Sequence, residues 1–299
     1  MYKRIFLTGA SGFVGSYLLK GLVDSGYLVK VLSRNSSNIN IKNKNCEVIQ
    51  GDAINIKSYE HALNDIDVII NLIGIIREYP AKGITFDKAH IEATNNLVTL
   101  AKKAGINRFI QMSANGIEKD LSLKYNLTKY KAEEIVKNNN LDFTIFRPSV
   151  IFGAGDAFIS LLSKLMKRTP LFFYFGHGKY PYQPIYVKDV VKYFINSIDN
   201  KKTIGATYPL CGPKVYTYKE ILSLINKNLG FKRLLLPLPM PIIYFITRHL
   251  ERFSIYPITC DQLRMLERGN ICDDDSINNV INIDKNKLED ILPKIVKGV

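Results

Sequence analysis

The sequence predicts an α/β fold in which a doubly wound parallel sheet is followed by a smaller C-terminal substrate lobe. Three observations support this prediction. A short apolar segment near the N-terminus leads directly into three glycines spaced three residues apart, Gly9, Gly12 and Gly15. Further continuous apolar segments, typical of parallel strands buried on both faces, recur along the first half of the chain. Segments of helical length separate most of them.

The predicted strands are bounded by turn residues. In chain order they are Arg4–Thr8, Leu28–Ser33, Cys46–Gln50, 67–73, Arg108–Met112 and 143–146. Apolar residues with helical spacing follow the glycines at 17–23. Strands and helices that alternate in this order are typical of a nucleotide-binding domain.

The regular alternation ends near residue 150, and the chain beyond it is rich in glycine, proline and aromatic residues. We therefore expect a nucleotide-binding domain over residues 1–150 and a smaller α/β substrate lobe over 151–299. Residues 184–187 read as a strand and 188–198 as a helix. We expect the segment 184–200 to return to the first domain.

Composition restricts the classes of function. The 299 residues carry a formal charge of +14, from 41 Lys and Arg against 27 Asp and Glu. These cations are dispersed and no aromatic RNA-binding motif accompanies them, so we expect no nucleic-acid partner. The four cysteines lack C-x-x-C spacing, which indicates a reducing compartment and no metal site. The first apolar segment reads as a core strand and not as a signal peptide, so we expect a cytoplasmic protein.

One apolar stretch has two interpretations. Residues 234–247 contain three prolines and fall short of the roughly 20 residues that cross a bilayer. The longer segment 234–250, which ends with basic residues, either closes the substrate lobe over an apolar pocket or lies on an anionic membrane as an amphipathic helix. The aromatic run 172–175 has the same two interpretations. The second one predicts peripheral association with the inner face of a membrane or with a membrane complex.

The glycine-rich turn is predicted to hold the pyrophosphate of a dinucleotide. One glycine permits the tight turn out of the strand, the next lets backbone N–H groups approach the phosphates, and the last lets the helix pack on the sheet. The positive end of the helix dipole then faces the pyrophosphate. The predicted contacts are Gly9, Ser11, Gly12, Phe13, Val14 and Gly15.

Arg34 is predicted to select the cofactor. It ends the second strand, about twenty residues beyond the glycines, where NAD-specific folds place an acidic residue on the ribose hydroxyls. A guanidinium matches a 2′-phosphate better, so NADP(H) is the preferred cofactor and NAD(H) the alternative. The competing interpretation of Arg34 is a solvated loop residue.

Further cofactor contacts are predicted where other strands end. Asp52 follows the third strand with Ala53 beside it, and its carboxylate either accepts from the adenine amino group or caps the next helix. Leu72 and Gly74 close the fourth strand at the edge where open α/β sheets bind ligands. Pro148 follows the sixth strand and completes the set.

Tyr125 and Lys129 form the predicted catalytic pair. They are four residues apart, after the fifth strand, and so share one face of a helix. A tyrosine with a pKa of about 10 donates protons poorly at neutral pH, and a neighbouring cation favours the phenolate. Tyr125 would exchange the proton, Lys129 would contact the ribose and lower the tyrosine pKa, and the nicotinamide would exchange the hydride. The competing interpretation is an exposed helix face.

Over nearly its whole length the chain resembles an extended short-chain dehydrogenase/reductase of the NAD-dependent epimerase/dehydratase type. The glycines, Asp52, the Tyr125/Lys129 pair and Arg147-Pro148 carry this similarity. Further segments resemble the atypical branch that contains the nucleotide-binding accessory subunit of mitochondrial complex I and its bacterial relatives. These segments are 112–114, 147–153, 183–187 with Asp189, and 261–264. The resemblance implies a Rossmann fold.

The sequence departs from the pattern of the family at two catalytic positions. Active extended members carry a serine or threonine just after the fifth strand, where this chain has Ala114, with the catalytic candidate Ser113 one position earlier. In the helix expected over 89–97, the resemblance places His90 at the position of the catalytic asparagine. His90 is either a substrate or water-relay group or a packed histidine. Without the hydroxyl that holds the substrate oxygen, reductase chemistry loses one stabilising group.

Two residues beyond the first domain are further substrate candidates. His177 lies between two glycines, where a turn explains it equally well, and Gln183 belongs to one of the family-like segments. Two functions remain. One is an NADP-dependent oxidoreductase or epimerase-like enzyme acting on a nucleotide sugar or a quinone- or isoprenoid-related substrate. The other is a non-catalytic NADPH-binding accessory or assembly protein of a respiratory or quinone-synthesising complex.

Overall fold

The structure, a computed structural model, describes residues 3–39, 41, 43–230, 232–253 and 256–298. Its strands in chain order are β1 (Arg4–Thr8), β2 (Leu28–Ser33), β3 (Cys46–Gln50), β4 (Val68–Asn71), β5 (Arg108–Met112), β6 (Asp142–Pro148), β7 (Ile151–Phe152), β8 (Leu171–Phe175), β9 (Pro181–Tyr182), β10 (Ile185–Tyr186), β11 (Ala206–Leu210), β12 (Tyr216–Thr217) and β13 (Leu234–Leu238). Its α-helices are α1 (Phe13–Asp24), α2 (Ala93–Ala104), α3 (Lys124–Lys137), α4 (Ile159–Arg168), α5 (Val187–Ser197), α6 (Tyr218–Asn228), α7 (Met240–Leu250), α8 (Cys260–Arg268) and α9 (Leu288–Lys297).

These elements fall into two units. Unit 1 comprises Met1–Pro148, Lys188–Leu210 and Asp274–Ile283. Unit 2 comprises Ser149–Val187, Cys211–Asp273 and Asp284–Val299.

The boundaries expected from sequence differ from this division in two places. The returning segment, expected at 184–200, is Lys188–Leu210. Residues 184–187 belong to unit 2, where β10 pairs with β7, and the segment continues through β11, because that strand pairs with β6 at the edge of the sheet. A second return, Asp274–Ile283, was not foreseen. It buries Ile277 and Ile281. Two apolar residues are too few to form a recognisable pattern in the sequence.

The sheet of unit 1 is parallel throughout, with the strand order β11, β6, β5, β4, β1, β2, β3. The predicted fold class is therefore confirmed. The predicted bounds hold for β1, β2, β3 and β5, whereas β4 is shorter than 67–73 and β6 is longer than 143–146. The strand order reverses between β1 and β4. Open α/β sheets bind ligands at such a point, outside the carboxyl ends of the strands.

The central strands are buried on both faces, which explains their continuous apolar sequences. Ile5, Phe6 and Leu7 of β1 are fully buried, and so are the apolar residues of β4. Complete burial of one such side chain stabilises a fold by about 1.5–3 kcal/mol. The strands at the centre of the sheet are therefore firmly fixed, and the loops after them start from rigid positions.

Unit 2 carries small two-stranded sheets among its helices. In the described part of the chain, β7 pairs with β10 and β8 with β13 in parallel, and β9 pairs with β12 in antiparallel orientation. Its core is rich in aromatic residues, including the buried Phe152, Tyr182 and Tyr218. A small α/β lobe of this kind was expected.

Two helix predictions need correction. The segment 234–250 is not one helix, since its first residues form β13 and only Met240–Leu250 is helical. The prolines that interrupt it explain the change. The helix expected over 89–97 begins as a π-helical turn, Asp87–Glu92, before α2. No helix among the described residues combines the length and the apolar character needed to cross a membrane.

The structure also pairs two cysteines that the sequence analysis assigned to a reducing compartment. Cys211 follows β11, Cys272 follows α8, and the two form a disulfide across a sequence separation of 61 residues. Cys46 and Cys260 are free. The pairing depends on a contact between distant segments of unit 2, and the spacing of the cysteines gives no sign of it.

We predict that this disulfide stabilises the oxidised protein. A cross-link over this separation lowers the entropy of the unfolded chain and contributes about 4 kcal/mol. The variant Cys211→Ser/Cys272→Ser should therefore unfold at a lower urea concentration than the wild type, and a thiol reductant should abolish the difference. The matched control is Cys46→Ser/Cys260→Ser, which should keep the wild-type response to reductant. An oxidised wild type with the same midpoint as the first variant would contradict the prediction.

Candidate functional site

The turn between β1 and α1 forms a cradle of backbone atoms. Gly9 has a φ of +74°, which residues with side chains rarely adopt, and a Cβ there would lie 2.8 Å from the carbonyl carbon of Leu72. A Cβ at Gly15 would lie 2.1 Å from the carbonyl oxygen of Gly9. Gly12 is the N-cap of α1 and offers no side-chain cap. The first N–H groups of α1 are therefore suited to an anionic ligand.

A cavity of about 250 Å³ lies beside this turn, at the carboxyl ends of β1 to β4. The predicted cofactor residues that line it are Gly9, Ser11, Gly12, Arg34, Asp52, Ala53, Leu72 and Gly74. The predicted contacts Phe13, Val14, Gly15, Lys129 and Pro148 are not among its lining residues. The structure thus brings together eight predicted residues from four separate strand ends.

The sequence analysis missed part of this lining. Ser33 precedes Arg34, and its position at a strand end was a usable signal. Thr85 and Lys88 come from the segment before α2, and no motif marks them. The segment reaches the cavity only through the tertiary fold.

Arg34 and Asp52 occupy the end of the cavity formed by β2 and β3. The Arg34 side chain is exposed and makes no ion pair with a described residue, so its guanidinium is available to a ligand. Asp52 Oδ1 accepts a hydrogen bond from the backbone N–H of Ile54 at 3.2 Å. The carboxylate therefore caps a turn through one oxygen and leaves the other to a ligand.

A buried amide network fixes the end of β4. Asn71 is fully buried, and its Oδ1 accepts from Thr8 Oγ1 at 2.7 Å and from the backbone N–H of Ile73 at 3.1 Å. Its Nδ2 donates to Gln111 Oε1 at 2.9 Å and to Thr94 Oγ1 at 3.2 Å. All four hydrogen-bonding positions of this amide are thus occupied. The network holds the backbone of Leu72 and Gly74 in place beside the cavity.

Lys129 brings a buried cation to that backbone. Its side chain is 4% exposed, and the described residues offer its ammonium one hydrogen bond, to the carbonyl oxygen of Met112 at 3.4 Å. A Cβ at Gly74 would lie 2.8 Å from Lys129 Nζ, so the ammonium lies directly against this part of the backbone. Burial lowers the pKa of Lys129 to about 8, and the carboxylate of Glu133 opposes the shift. An ammonium has three donors, and two remain for the oxygens of a ligand.

His90 is a neutral histidine within the same cluster. Thr128 Oγ1 donates to a carbonyl oxygen of the preceding turn, so it accepts from His90 Nδ1 at 2.8 Å. His90 Nε2 then accepts from the backbone N–H of Ile75 at 3.2 Å. Burial, reinforced by the charge of Lys129, lowers the pKa of His90 to about 2. These partners favour the packed interpretation, in which the imidazole joins α3 to the loop after β4.

Tyr125 lies one turn before Lys129 on α3. Its ring packs edge-on against Phe86 and His90, with centroid separations of 5.6 and 5.5 Å. Burial raises the pKa of Tyr125 to about 12. In the protein alone, burial sets this pKa and no lowering by Lys129 accompanies it. At neutral pH the phenol is protonated.

An ion pair holds α3 against the sheet. Arg147 on β6 contacts Glu133 in bidentate fashion, with Nε–Oε1 at 2.9 Å and Nη2–Oε2 at 2.7 Å. Glu133 is fully buried. Although burial raises the pKa of this carboxyl, the hydrogen bonds and charge of Arg147 outweigh it, and the net pKa is lowered. The family-like Arg147 thus positions the helix that carries Tyr125 and Lys129.

The catalytic candidate Ser113 follows β5 and is buried. Its Oγ is buried without a hydrogen-bond partner among the described residues, and it points toward the carboxylate of Glu133 without reaching hydrogen-bond geometry. Ala114 follows it and supplies no hydroxyl. Pro148 ends β6, where its carbonyl oxygen accepts from the backbone N–H of Asn115 at 2.9 Å. These residues order the loop after β5.

The two remaining candidates belong to unit 2. His177 stacks on Tyr180, with ring centroids 4.5 Å apart, and lines a separate cavity of about 530 Å³. Its Nδ1 accepts from the backbone N–H of Lys179, as in a turn. Gln183 donates to the carbonyl oxygen of Gly212 at 2.8 Å and accepts from the N–H of Cys272 at 3.1 Å. The Gln183 amide therefore joins the segments next to the disulfide.

The chain matches one protein family and is similar to several named proteins. Residues 5–211 match the NAD dependent epimerase/dehydratase family. The chain is 29% identical over 255 residues to the NADH-ubiquinone oxidoreductase 40 kDa subunit, mitochondrial, of Neurospora crassa, which covers 84% of the chain and 66% of that protein. It is 28% identical over 306 residues to NADH dehydrogenase (ubiquinone) 1 alpha subcomplex subunit 9, mitochondrial, of Arabidopsis thaliana, covering 97% and 74%. The chain spans about two thirds to three quarters of these relatives.

Another similar protein is named as an enzyme. The chloroplastic divinyl chlorophyllide a 8-vinyl-reductase of Cucumis sativus is 26% identical over 259 residues, which covers 81% of the chain and 61% of that protein. Among solved structures, UDP-glucuronic acid 4-epimerase from Bacillus cereus in complex with NAD has a TM-score of 0.78 and 20% identity, covering 98% of each chain. This structural similarity establishes the fold, and the sequence matches confirm the resemblance.

We predict that Lys129 makes the stability of the protein depend on pH. Its pKa is about 8 in the folded protein and about 10.4 in an unfolded chain. Between these values the unfolded state binds more protons, so the free energy of unfolding rises with pH, by up to about 3 kcal/mol in total. Lys129→Met should lack this rise when urea denaturation is followed from about pH 7 to about pH 10.

The matched control is Lys131→Met, which removes an exposed lysine from the same helix. It should keep the pH dependence of the wild type. Parallel stability curves for the wild type and Lys129→Met across this window would show that Lys129 carries no burial penalty.

Proposed function

Because the chain belongs to the NAD dependent epimerase/dehydratase family, we propose that it is an NADP(H)-dependent oxidoreductase or epimerase-like enzyme. Its substrate would be a nucleotide sugar or an apolar molecule related to a quinone or an isoprenoid. One observation carries the proposal. The buried Lys129 ammonium lies against the end of β4 with unused donors, one helical turn from the protonated Tyr125.

The residues that line the cavity of unit 1 support a dinucleotide phosphate as its ligand. The backbone cradle at Gly9 and Gly15 leaves no space for a side chain, and the start of α1 offers N–H groups to a pyrophosphate. Arg34 would bind the 2′-phosphate, since it has no ion-pair partner among the described residues. Asp52 would receive the adenine amino group on its remaining oxygen. The loaded nicotinamide would supply or accept the hydride.

The residues of the chain would control the proton. Tyr125 holds its proton because burial raises the pKa of the phenol, which suits donation to a carbonyl oxygen during reduction. Lys129 would direct its two unused donors to ribose hydroxyls. The positive charge of Lys129 would lower the pKa of Tyr125, whereas burial raises it, so the charge would ease the loss of the tyrosine proton. The rings of Phe86 and His90 make the surroundings of Tyr125 largely apolar, which supports a substrate with an apolar component.

A second candidate is a non-catalytic NADPH-binding accessory or assembly protein of a respiratory or quinone-synthesising complex. The observation that favours it is the loop after β5, where Ala114 has no hydroxyl and Ser113 Oγ points toward Glu133. Two relatives bear names of complex I subunits. In this role the nucleotide stabilises the fold by mass action without turnover, at the inner face of a membrane.

We predict that Arg34 sets the preference for NADPH over NADH. Each charge-assisted hydrogen bond contributes about 1.5–3 kcal/mol, so Arg34→Ala should weaken NADPH binding roughly tenfold to a hundredfold and leave NADH binding nearly unchanged. Arg34→Asp should reverse the preference, because a carboxylate accepts from the ribose hydroxyls. The measurement is titration calorimetry with both nucleotides. Arg168→Ala, which removes an exposed arginine of α4, is the control. Equal weakening of both nucleotides would refute the assignment.

We predict that Tyr125→Phe abolishes turnover and keeps nucleotide affinity. The phenylalanine preserves the packing of the ring but carries no proton to transfer. The purified protein is loaded with NADPH deuterated at the pro-S position and given a metabolite extract, and labelled products are sought by mass spectrometry. Label transferred by the wild type and by Tyr130→Phe, a second tyrosine of α3, but not by Tyr125→Phe, is the expected result.

The same experiment separates the two candidate functions. Retention of intact deuterated NADPH by all three proteins would contradict the enzyme and support the accessory role. Failure of the wild type to retain any nucleotide would contradict both.

A further inference from the structure

The helix α7 in unit 2 presents an apolar face to solvent. Its residues recur with helical spacing, continue into the turn after the helix, and are exposed by 38–68%. They are Ile242, Phe245, Ile246, Leu250 and Phe253. Exposed apolar clusters of this kind mark interaction sites on a protein surface. We call this set the apolar face of α7.

The opposite side of the helix is anchored. Ile243 and Thr247 are buried, and Thr247 Oγ1 lies 3.1 Å from Tyr256 Oη. Tyr244 donates to Glu267 on α8 at 2.5 Å. The helix is therefore a fixed part of unit 2, and the side chains of its other face are exposed.

Basic side chains flank this face. Arg248 lies near the end of α7 and Arg252 in the turn after it, and the Arg252 guanidinium stands 4.8 Å from the ring centroid of Phe253. His249 packs on Phe245 with ring centroids 4.7 Å apart. The nearest acidic residue along the helix, Glu251, is directed elsewhere and accepts from the backbone N–H of Cys260 at 2.7 Å. The face thus combines protruding apolar side chains with cations.

A second apolar surface precedes the helix. In the paired strands β8 and β13, the exposed side chains of Leu171, Phe173 and Leu234 extend the apolar area of unit 2. β13 leads into α7 through Pro239 alone. Unit 2 therefore exposes apolar side chains on these strands as well as on the apolar face of α7.

From these observations we infer that the apolar face of α7 docks unit 2 on the surface of an anionic lipid bilayer. A convex helix with apolar side chains fits the boundary between headgroups and acyl chains, where such helices sit in the plane of the interface. Arg248 and Arg252 extend toward the phosphates while their stems cover apolar surface. The net charge of +14 adds long-range attraction to the same surface. The contact uses unit 2 only and requires neither nucleotide nor turnover.

The test is flotation of the full chain with vesicles of phosphatidylcholine, with or without about a quarter phosphatidylglycerol. The wild type should bind the anionic vesicles more strongly, and salt should weaken the binding. Phe245→Ser/Ile246→Ser should reduce partitioning at least about tenfold. Arg248→Gln/Arg252→Gln should reduce it about fivefold for each arginine removed. NADPH binding, measured in parallel, should stay at the wild-type level in both variants.

The matched controls remove exposed apolar side chains or exposed cations outside the apolar face of α7. Ile76→Ser/Val215→Ser removes two other exposed apolar side chains, and Lys131→Gln/Lys188→Gln removes two other exposed cations. Both should float as the wild type does. The inference is overturned if the wild type floats with neither vesicle, or if Phe245→Ser/Ile246→Ser floats equally well. It is also overturned if light scattering shows a lipid-free wild-type dimer that this variant converts to a monomer, since a second copy would then cover the face.

Discussion

The buried amide of Asn71 is the interaction on which the arrangement of unit 1 depends. It joins Thr8 of β1, Gln111 of β5 and Thr94 of α2, and it turns the chain by accepting from Ile73. A buried amide with every hydrogen bond made strengthens a core, whereas the loss of one partner leaves several polar groups unsatisfied. The end of β4, against which the Lys129 ammonium rests, is consequently held from three sides. This network keeps the backbone beside the cavity of unit 1 rigid.

The helix that carries Tyr125 and Lys129 is held by a different kind of contact. Arg147 on β6 donates two parallel hydrogen bonds to the carboxylate of Glu133. A planar bidentate pair of this kind fixes the relative orientation of the two side chains as well as their separation. Since Glu133 also faces Lys129, its carboxylate has two tasks. It anchors α3 and retains some positive charge on Lys129 against the effect of burial.

Much of unit 1 could be predicted because its signals are local. The apolar strands, the turn at Gly9 to Gly15 and the pair Tyr125 and Lys129 each lie within one short segment, where hydrophobic period and residue type are sufficient. The parts that escaped prediction depend on residues far apart in sequence. The pairing of Cys211 with Cys272 spans 61 residues, and the upward shift of the Tyr125 pKa arises from burial, which no spacing reveals. The partners of His90 likewise come from two segments far from it in sequence, the loop after β4 and α3.

Both proposed functions start from the same imperfectly satisfied cation. Lys129 is buried with three donors and one long hydrogen bond, a situation that costs free energy unless other acceptors arrive. A ligand that offers hydroxyl oxygens there relieves the cost, so binding and folding are coupled at this residue. For an accessory protein this coupling is the whole benefit, because a retained nucleotide keeps unit 1 folded. For an enzyme this coupling would also slow product release, because each release of the nucleotide would leave the buried Lys129 ammonium without acceptors again. Both proposed functions therefore predict tight nucleotide binding, and turnover at Tyr125 would distinguish them.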